Sequence, residues 1–134
     1  MENMLQITAL YASLLAFIYI KLSTNVIELR RLHKISLGHK NHKGLEQSIR
    51  AQANFIEYVP LGLILLSCLE INKIHPVIVF LLGGLLLVGR FLHAKSFITP
   101  NIDQSKRVQG MKFTFWSIRL MAAMLIFSFL ISFI

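Results

Sequence analysis

The chain has 134 residues, of which 55% are hydrophobic and only 15% charged, with a formal net charge of +8 and a mean hydropathy of +0.65. A soluble domain of this size needs far more charge to cover its surface, so a soluble fold is excluded and an integral membrane protein is expected. No soluble basic region is present to carry nucleic-acid binding, and the lone cysteine, Cys68, excludes a disulfide framework within one chain.

Four apolar runs follow one another: Leu5 to Leu22, Phe55 to Leu69, Ile74 to Leu92 and Phe113 to Ile134. A helix needs about 20 residues to cross a hydrocarbon core of about 30 Å. The first and last runs have that length, and the second reaches it when its polar lead-in from Ile49 is added. The runs are apolar on all sides rather than alternating, which predicts helices and not barrel strands. The expected fold is an all-α, four-helix membrane bundle formed by one domain, residues 1–134. Run one lacks a basic leader and a small-x-small cleavage site, so it is expected to remain as a span.

Helix one should continue to His33 or Lys34, because Asn25 to Leu32 keeps apolar residues at helical spacing. Ser36 to Lys43, with Gly38 and then Gly44, reads as the one true loop, and helix two should restart near Leu45. Pro60 is expected to bend helix two. Asn72 and Pro76 bracket a short turn that makes helices two and three antiparallel neighbours. In helix three, Gly83, Gly84 and Gly89 allow close backbone approach to another helix. Thr99-Pro100-Asn101 reads as a turn or as the start of helix four, with Thr99 as cap. Cys68 is expected as a small buried apolar residue.

Basic residues orient such a bundle. Lys21, Arg30, Arg31, Lys34, Lys40, Lys43 and Arg50 lie between runs one and two, and Arg90, Lys95, Lys106, Arg107 and Lys112 between runs three and four, against only Lys73 in the middle turn. Both termini should therefore face away from the cytoplasm, with the excess charge serving topology and attraction to anionic lipid.

Arg50-Ala51-Gln52-Ala53-Asn54-Phe55-Ile56-Glu57-Tyr58 opens helix two with polar groups that are costly inside a membrane. On a helix Arg50, Asn54 and Glu57 share one face over about 10 Å, whereas Gln52 points roughly 200° away from Arg50. Glu57 could pair with an arginine such as Arg119 in run four, or it could belong to a ligand site with Arg50 and Asn54. Tyr58 could be an interfacial aromatic. His39 and His42 have no partner at ligand spacing, so no metal site is expected there; His33 and His75 read as interfacial. His93 follows Arg90 by three residues on the same face of helix three.

The pattern Arg50-Ala-Gln-x-Asn54-x-x-Glu57-Tyr58-x-Pro60-Leu resembles the helix-two signature of the membrane-associated proteins in eicosanoid and glutathione metabolism (MAPEG). That family includes leukotriene C4 synthase and the microsomal glutathione transferases. Val26-Ile27-Glu28-Leu29-Arg30-Arg31 resembles the end of helix one in leukotriene C4 synthase. Gly89-Arg90-x-x-His93-Ala94 and Arg107-x-x-Gly110-Met111-x-x-Thr114 are more similar to the small bacterial branch. Length, four spans and a long basic first loop agree, so the resemblance covers nearly the whole chain.

What the resemblance implies is a homotrimer in the membrane lipid, most simply a bacterial inner membrane, with glutathione at each subunit interface near the cytoplasmic side. Arg50, Asn54, Glu57 and Tyr58 would contact glutathione from one subunit, Arg30 and Gln52 from its neighbour, and Arg107 would be the thiol-activating arginine. One departure is visible: where helix three of leukotriene C4 synthase carries tyrosines near the thiol, this chain has Phe91 and Lys95, which counts against a leukotriene substrate. The residue types suit glutathione, since guanidinium forks match its carboxylates and a carboxylate matches its amine. A free thiol has a pKa of about 8.5, and each unit of depression corresponds to about 1.4 kcal/mol, within reach of one partly desolvated arginine. The expected function is a glutathione transferase or peroxidase acting on hydrophobic electrophiles. The alternatives are a small four-helix proton-coupled drug exporter, disfavoured because helix one has no carboxylate between Met4 and Ser23, and a non-catalytic glutathione-binding or structural membrane protein.

Overall fold

The computed structural model describes residues 5–97 and 103–133. They form four helices, α1 Gln6–His33, α2 Lys43–Ile71, α3 Pro76–Lys95 and α4 Gln104–Ile131, each long and apolar enough to cross a membrane. Helices α2 and α3 form the central pair. Helix α1 packs against both from one side and α4 from the other, and among the described residues α1 and α4 do not pack on each other.

Helix α1 ends at His33 because Lys34 turns left-handed (φ 52°), and the Ile35 N–H then donates back to the Arg30 carbonyl at 3.0 Å. Ile35 is buried with Val26 and Leu45, which pins the loop to the end of the bundle. Helix α2 starts two residues before the expected Leu45. His42 is the reason: its Nδ1 accepts the Leu45 N–H at 3.1 Å, so an imidazole serves as the helix cap. The helix runs through Pro60, whose missing N–H leaves the Ile56 carbonyl without its usual donor. After Asn72, Lys73 turns left-handed (φ 54°), and Pro76 opens α3 at its first turn.

The other end of α1 is held by a residue of α2. Glu70 accepts the Ile7 and Thr8 N–H groups, both at 2.9 Å, and the Thr8 hydroxyl at 2.8 Å. A carboxylate from a neighbouring helix thus satisfies amides that no local cap reaches. The Thr99-Pro100-Asn101 turn lies outside the described residues. The described part of α4 is capped by Asp103, whose side chain accepts the Lys106 N–H at 3.1 Å and whose carboxylate pairs with the Lys106 ammonium at 2.6 Å.

Besides the cluster at Ile35, apolar packing fills the space between helices in two larger clusters, one built around Leu15, Leu22, Phe55, Val59 and Leu86, the other around Tyr11, Leu66, Leu69, Val79 and Met121. Large apolar side chains such as Phe17, Ile64, Phe80 and Ile126 remain exposed on the outside, as suits a lipid-facing surface. Of the three glycines expected to admit another backbone, only Gly89 does so. A Cβ there would meet the Thr114 nitrogen at 2.8 Å and the Gly110 carbonyl at 2.9 Å, and one on Gly110 would meet the Gly89 carbonyl and the His93 nitrogen at 2.6 Å. Gly83 instead receives the Tyr11 ring. Gly84 leaves room for the Tyr11 hydroxyl, which donates to the Phe80 carbonyl at 2.6 Å. Cys68 is half-buried rather than buried.

Candidate functional site

The polar face at the start of α2 opens into a cleft of about 240 Å³ lined by Arg50, Ala53, Asn54 and Glu57 of α2, His93 of α3, Phe97 just beyond α3 and Arg107 of α4. Helical spacing puts the α2 residues on one side of the rod. The close contact of Gly89 with Gly110 brings α3 and α4 near enough for His93 and Arg107 to close the other walls. Arg107 carries its guanidinium over the Phe97 ring, 5.7 Å from the centroid, and His93 packs against the same ring at 5.2 Å. Arg50, Glu57 and Arg107 are exposed at the mouth, while His93 is buried. Two guanidinium groups and one carboxylate around a small polar space suit a ligand with more than one carboxylate and an amine.

Behind these walls lies Arg90, 1% exposed. Its Nε donates to the Thr114 hydroxyl at 2.9 Å, Nη1 to the Asn54 side-chain oxygen at 2.9 Å, and Nη2 approaches the Met111 sulfur at 3.1 Å. Its guanidinium also lies over the Tyr58 ring, 5.6 Å from the centroid. No carboxylate is among these partners, so a positive charge is held inside the protein by neutral oxygens, sulfur and a π face. The consequence for the cleft is mechanical and electrical. Asn54 is fixed by Arg90 with its amide nitrogen left for other partners, and the interior behind the cleft is positive.

Arg50, Asn54, Glu57 and Arg107, expected from the sequence to serve one ligand, therefore line one cleft. Tyr58 does not line it; it packs edge-on against Phe115 at 5.4 Å and under Arg90. Arg30 and Gln52 stand apart. Arg30 Nη1 donates to the carbonyls of Ser36 at 3.2 Å and Gly38 at 3.0 Å, which shapes the first loop. Gln52 donates to the Ser23 hydroxyl at 2.8 Å and ties α2 to α1, in keeping with its direction away from Arg50.

Arg119 does not pair with Glu57; its guanidinium stacks on Phe115 and Trp116 at 5.9 and 5.8 Å, and among the described residues the one ion pair is Lys106–Asp103. Phe91 and Lys95 do not face the cleft but border a different groove, between α1 and α3. The helix-three residue that does face it is His93. The Arg90-x-x-His93 spacing on one helix face was the available signal for both α3 residues. It gave no role, because which way that face points depends on how α3 packs.

The MAPEG family model matches residues 8–127. The chain is also similar to the inner membrane protein YecN of Escherichia coli strain K12, at 33% identity over 91 residues that cover 68% of this chain and 70% of the relative. It is equally similar to the YecN protein of Escherichia coli O6:H1 strain CFT073. With four membrane-length helices and a match over most of its length, the chain belongs to the MAPEG family, whose members include glutathione transferases.

Proposed function

We propose that this protein is a glutathione-dependent membrane enzyme, a transferase or peroxidase that conjugates or reduces hydrophobic electrophiles. The observation that carries the reading is the meeting of Arg50, Asn54 and Glu57 with His93 and Arg107 around one polar cleft. In this reading Arg50 holds a glutathione carboxylate, Glu57 holds the ammonium and Asn54, fixed by Arg90, hydrogen-bonds the peptide. Arg107 is the thiol-activating residue: a guanidinium beside the sulfur favours the thiolate over the thiol. The thiol proton passes to solvent, and the thiolate attacks the electrophile, forming a carbon–sulfur bond as a leaving group departs or as a conjugated double bond opens and takes up a proton; in the peroxidase reaction the thiolate instead takes the outer oxygen of a hydroperoxide as the alcohol leaves, and a second glutathione converts the sulfenic acid to glutathione disulfide and water. No metal is needed for this step.

The functional unit we propose is a homotrimer in a bacterial inner membrane, with both termini on the non-cytoplasmic side. Arg30 and Gln52 of each subunit would face the neighbour's ligand. Supporting this are the family membership and the inner-membrane location of the YecN relatives. A cleft open at Arg50, Glu57 and Arg107 also has room for a second subunit to complete it.

Stopped-flow ultraviolet absorbance tests the mechanism. Mixing glutathione with the purified protein should give a thiolate signal, and Arg107→Gln should abolish that signal while calorimetry still shows binding. Heat without thiolate in the unsubstituted protein would reduce the reading to a binding protein. No heat at any accessible concentration would remove glutathione altogether.

A further inference from the structure

Apart from the polar cleft, α1 and α3 border an apolar groove of about 440 Å³ lined by Phe17, Ile18, Leu22, Phe91 and Ala94, with Lys21 and Lys95 among its walls. Its volume is in the range that accommodates a drug-sized molecule, roughly 300–1,000 Å³. Lys21 and Leu22 also border a smaller notch of about 80 Å³ whose other walls include Asn25, Ser48 and Phe97. The sequence places these features in order along the membrane normal. Lys21 comes at the end of the first apolar run and Lys95 just after the third, and α1 and α3 run in the same direction, so both ammonium groups sit at one end of the bundle. The groove is therefore apolar toward the middle of the membrane, and polar and doubly cationic toward the interface. Both lysines are exposed, and among the described residues neither has a carboxylate partner.

We propose that this groove is a binding site for an anionic phospholipid, with the phosphate held by Lys21 and Lys95 and an acyl chain lying against Phe17, Ile18, Leu22 and Phe91. Charge selects the occupant. A zwitterionic lipid gains little from two unpaired ammonium groups, whereas an anionic headgroup neutralises both. Phe91 and Lys95 thereby acquire a role that the polar cleft does not give them: the ammonium of Lys95 lies 6.0 Å from the Phe91 ring centroid, so the aromatic ring steadies the cation at the groove's edge.

The site can be tested on the full-length protein in neutral detergent, titrated with dioleoyl phosphatidylglycerol or dioleoyl phosphatidylcholine and examined by native mass spectrometry. Each interfacial lysine favours an anionic headgroup by roughly fivefold, so the two together give a preference of about thirtyfold. That preference should fall to near unity in the Lys21→Gln/Lys95→Gln double variant and persist in Lys73→Gln, which removes a lysine from the other end of the bundle. Glycerol phosphate at equal concentration should not displace the lipid, since the acyl chain contributes. Equal affinity for both lipids would overturn the proposal, as would an anionic preference that survives the double substitution. Displacement by glycerol phosphate would reduce the site to a phosphate contact, and loss of oligomer without loss of lipid would assign the face to a second copy.

Discussion

Gly110→Ala is expected to damage both stability and the polar cleft, and Gly62→Ala neither. A methyl group on Gly110 would lie 2.6 Å from the Gly89 carbonyl, 2.6 Å from the His93 nitrogen and 3.0 Å from the His93 Cα, where ordinary contact begins near 3.4 Å. All three are backbone atoms, so no rotamer change relieves the clash and α3 and α4 must separate by almost an ångström. Overpacking of this kind costs about 1–3 kcal/mol, and rigid surroundings argue for the upper end. Alanine returns about 1 kcal/mol in helix propensity, leaving a net loss of about 2 kcal/mol. At Gly62 the nearest atoms are the Leu86 methyl carbons, at 2.7 and 3.1 Å. Leucine can rotate away for about 1 kcal/mol, which propensity offsets. Because Arg107 and His93 flank the contact, Gly110→Ala should also weaken glutathione binding. Thermal unfolding in detergent, followed by circular dichroism, and calorimetry with glutathione measure the two effects. If Gly110→Ala melts with the unsubstituted protein and binds equally well, the claim that the glycine contact sets the α3–α4 distance and the cleft is wrong.

Arg90→Lys should lower stability by about 2 kcal/mol, since one ammonium cannot replace a planar fork that reaches Thr114, Asn54 and Met111; chemical denaturation measures it, and an unchanged midpoint would refute the central role given to Arg90. Glu70→Ala should loosen the first turn of α1 at a cost of about 1–2 kcal/mol, seen as faster amide exchange at Ile7 and Thr8, with glutathione calorimetry unaltered. The Lys106 contacts hold the Asp103 carboxyl below its usual range, led by the side-chain hydrogen bond. Its folded pKa is depressed, so its contribution to capping α4 is present above the ordinary carboxylate pKa and is lost as pH falls through the depressed value. Amide exchange at Lys106 should rise only in that acidic window, and Asp103→Asn, which still caps, should remove the pH dependence.

The sequence determined that there are four spanning helices and where the first ends, because the length and apolarity of a span and the punctuation by Lys34, Gly38, Asn72 and Pro76 are local properties that need no tertiary partner; the polar lead-in that starts α4 at Gln104, nine residues before its apolar run, was not read from apolarity. It likewise determined that Arg50, Asn54 and Glu57 share a face, a matter of helical geometry alone. Where helix two starts escaped it, since a histidine cap such as His42 carries no distinctive local pattern. Only the tertiary structure decided which elements complete that face: Gly89 against Gly110 sets how closely α3 and α4 approach, and so turns His93 and Arg107 inward while Phe91 and Lys95 face the groove between α1 and α3. The pairing of Arg119 with aromatic rings rather than Glu57, and the burial of Arg90 among neutral partners, were decided in the same way. Contacts between helices depend on rotation about each axis, and an apolar-all-round membrane helix leaves that rotation unspecified in its sequence.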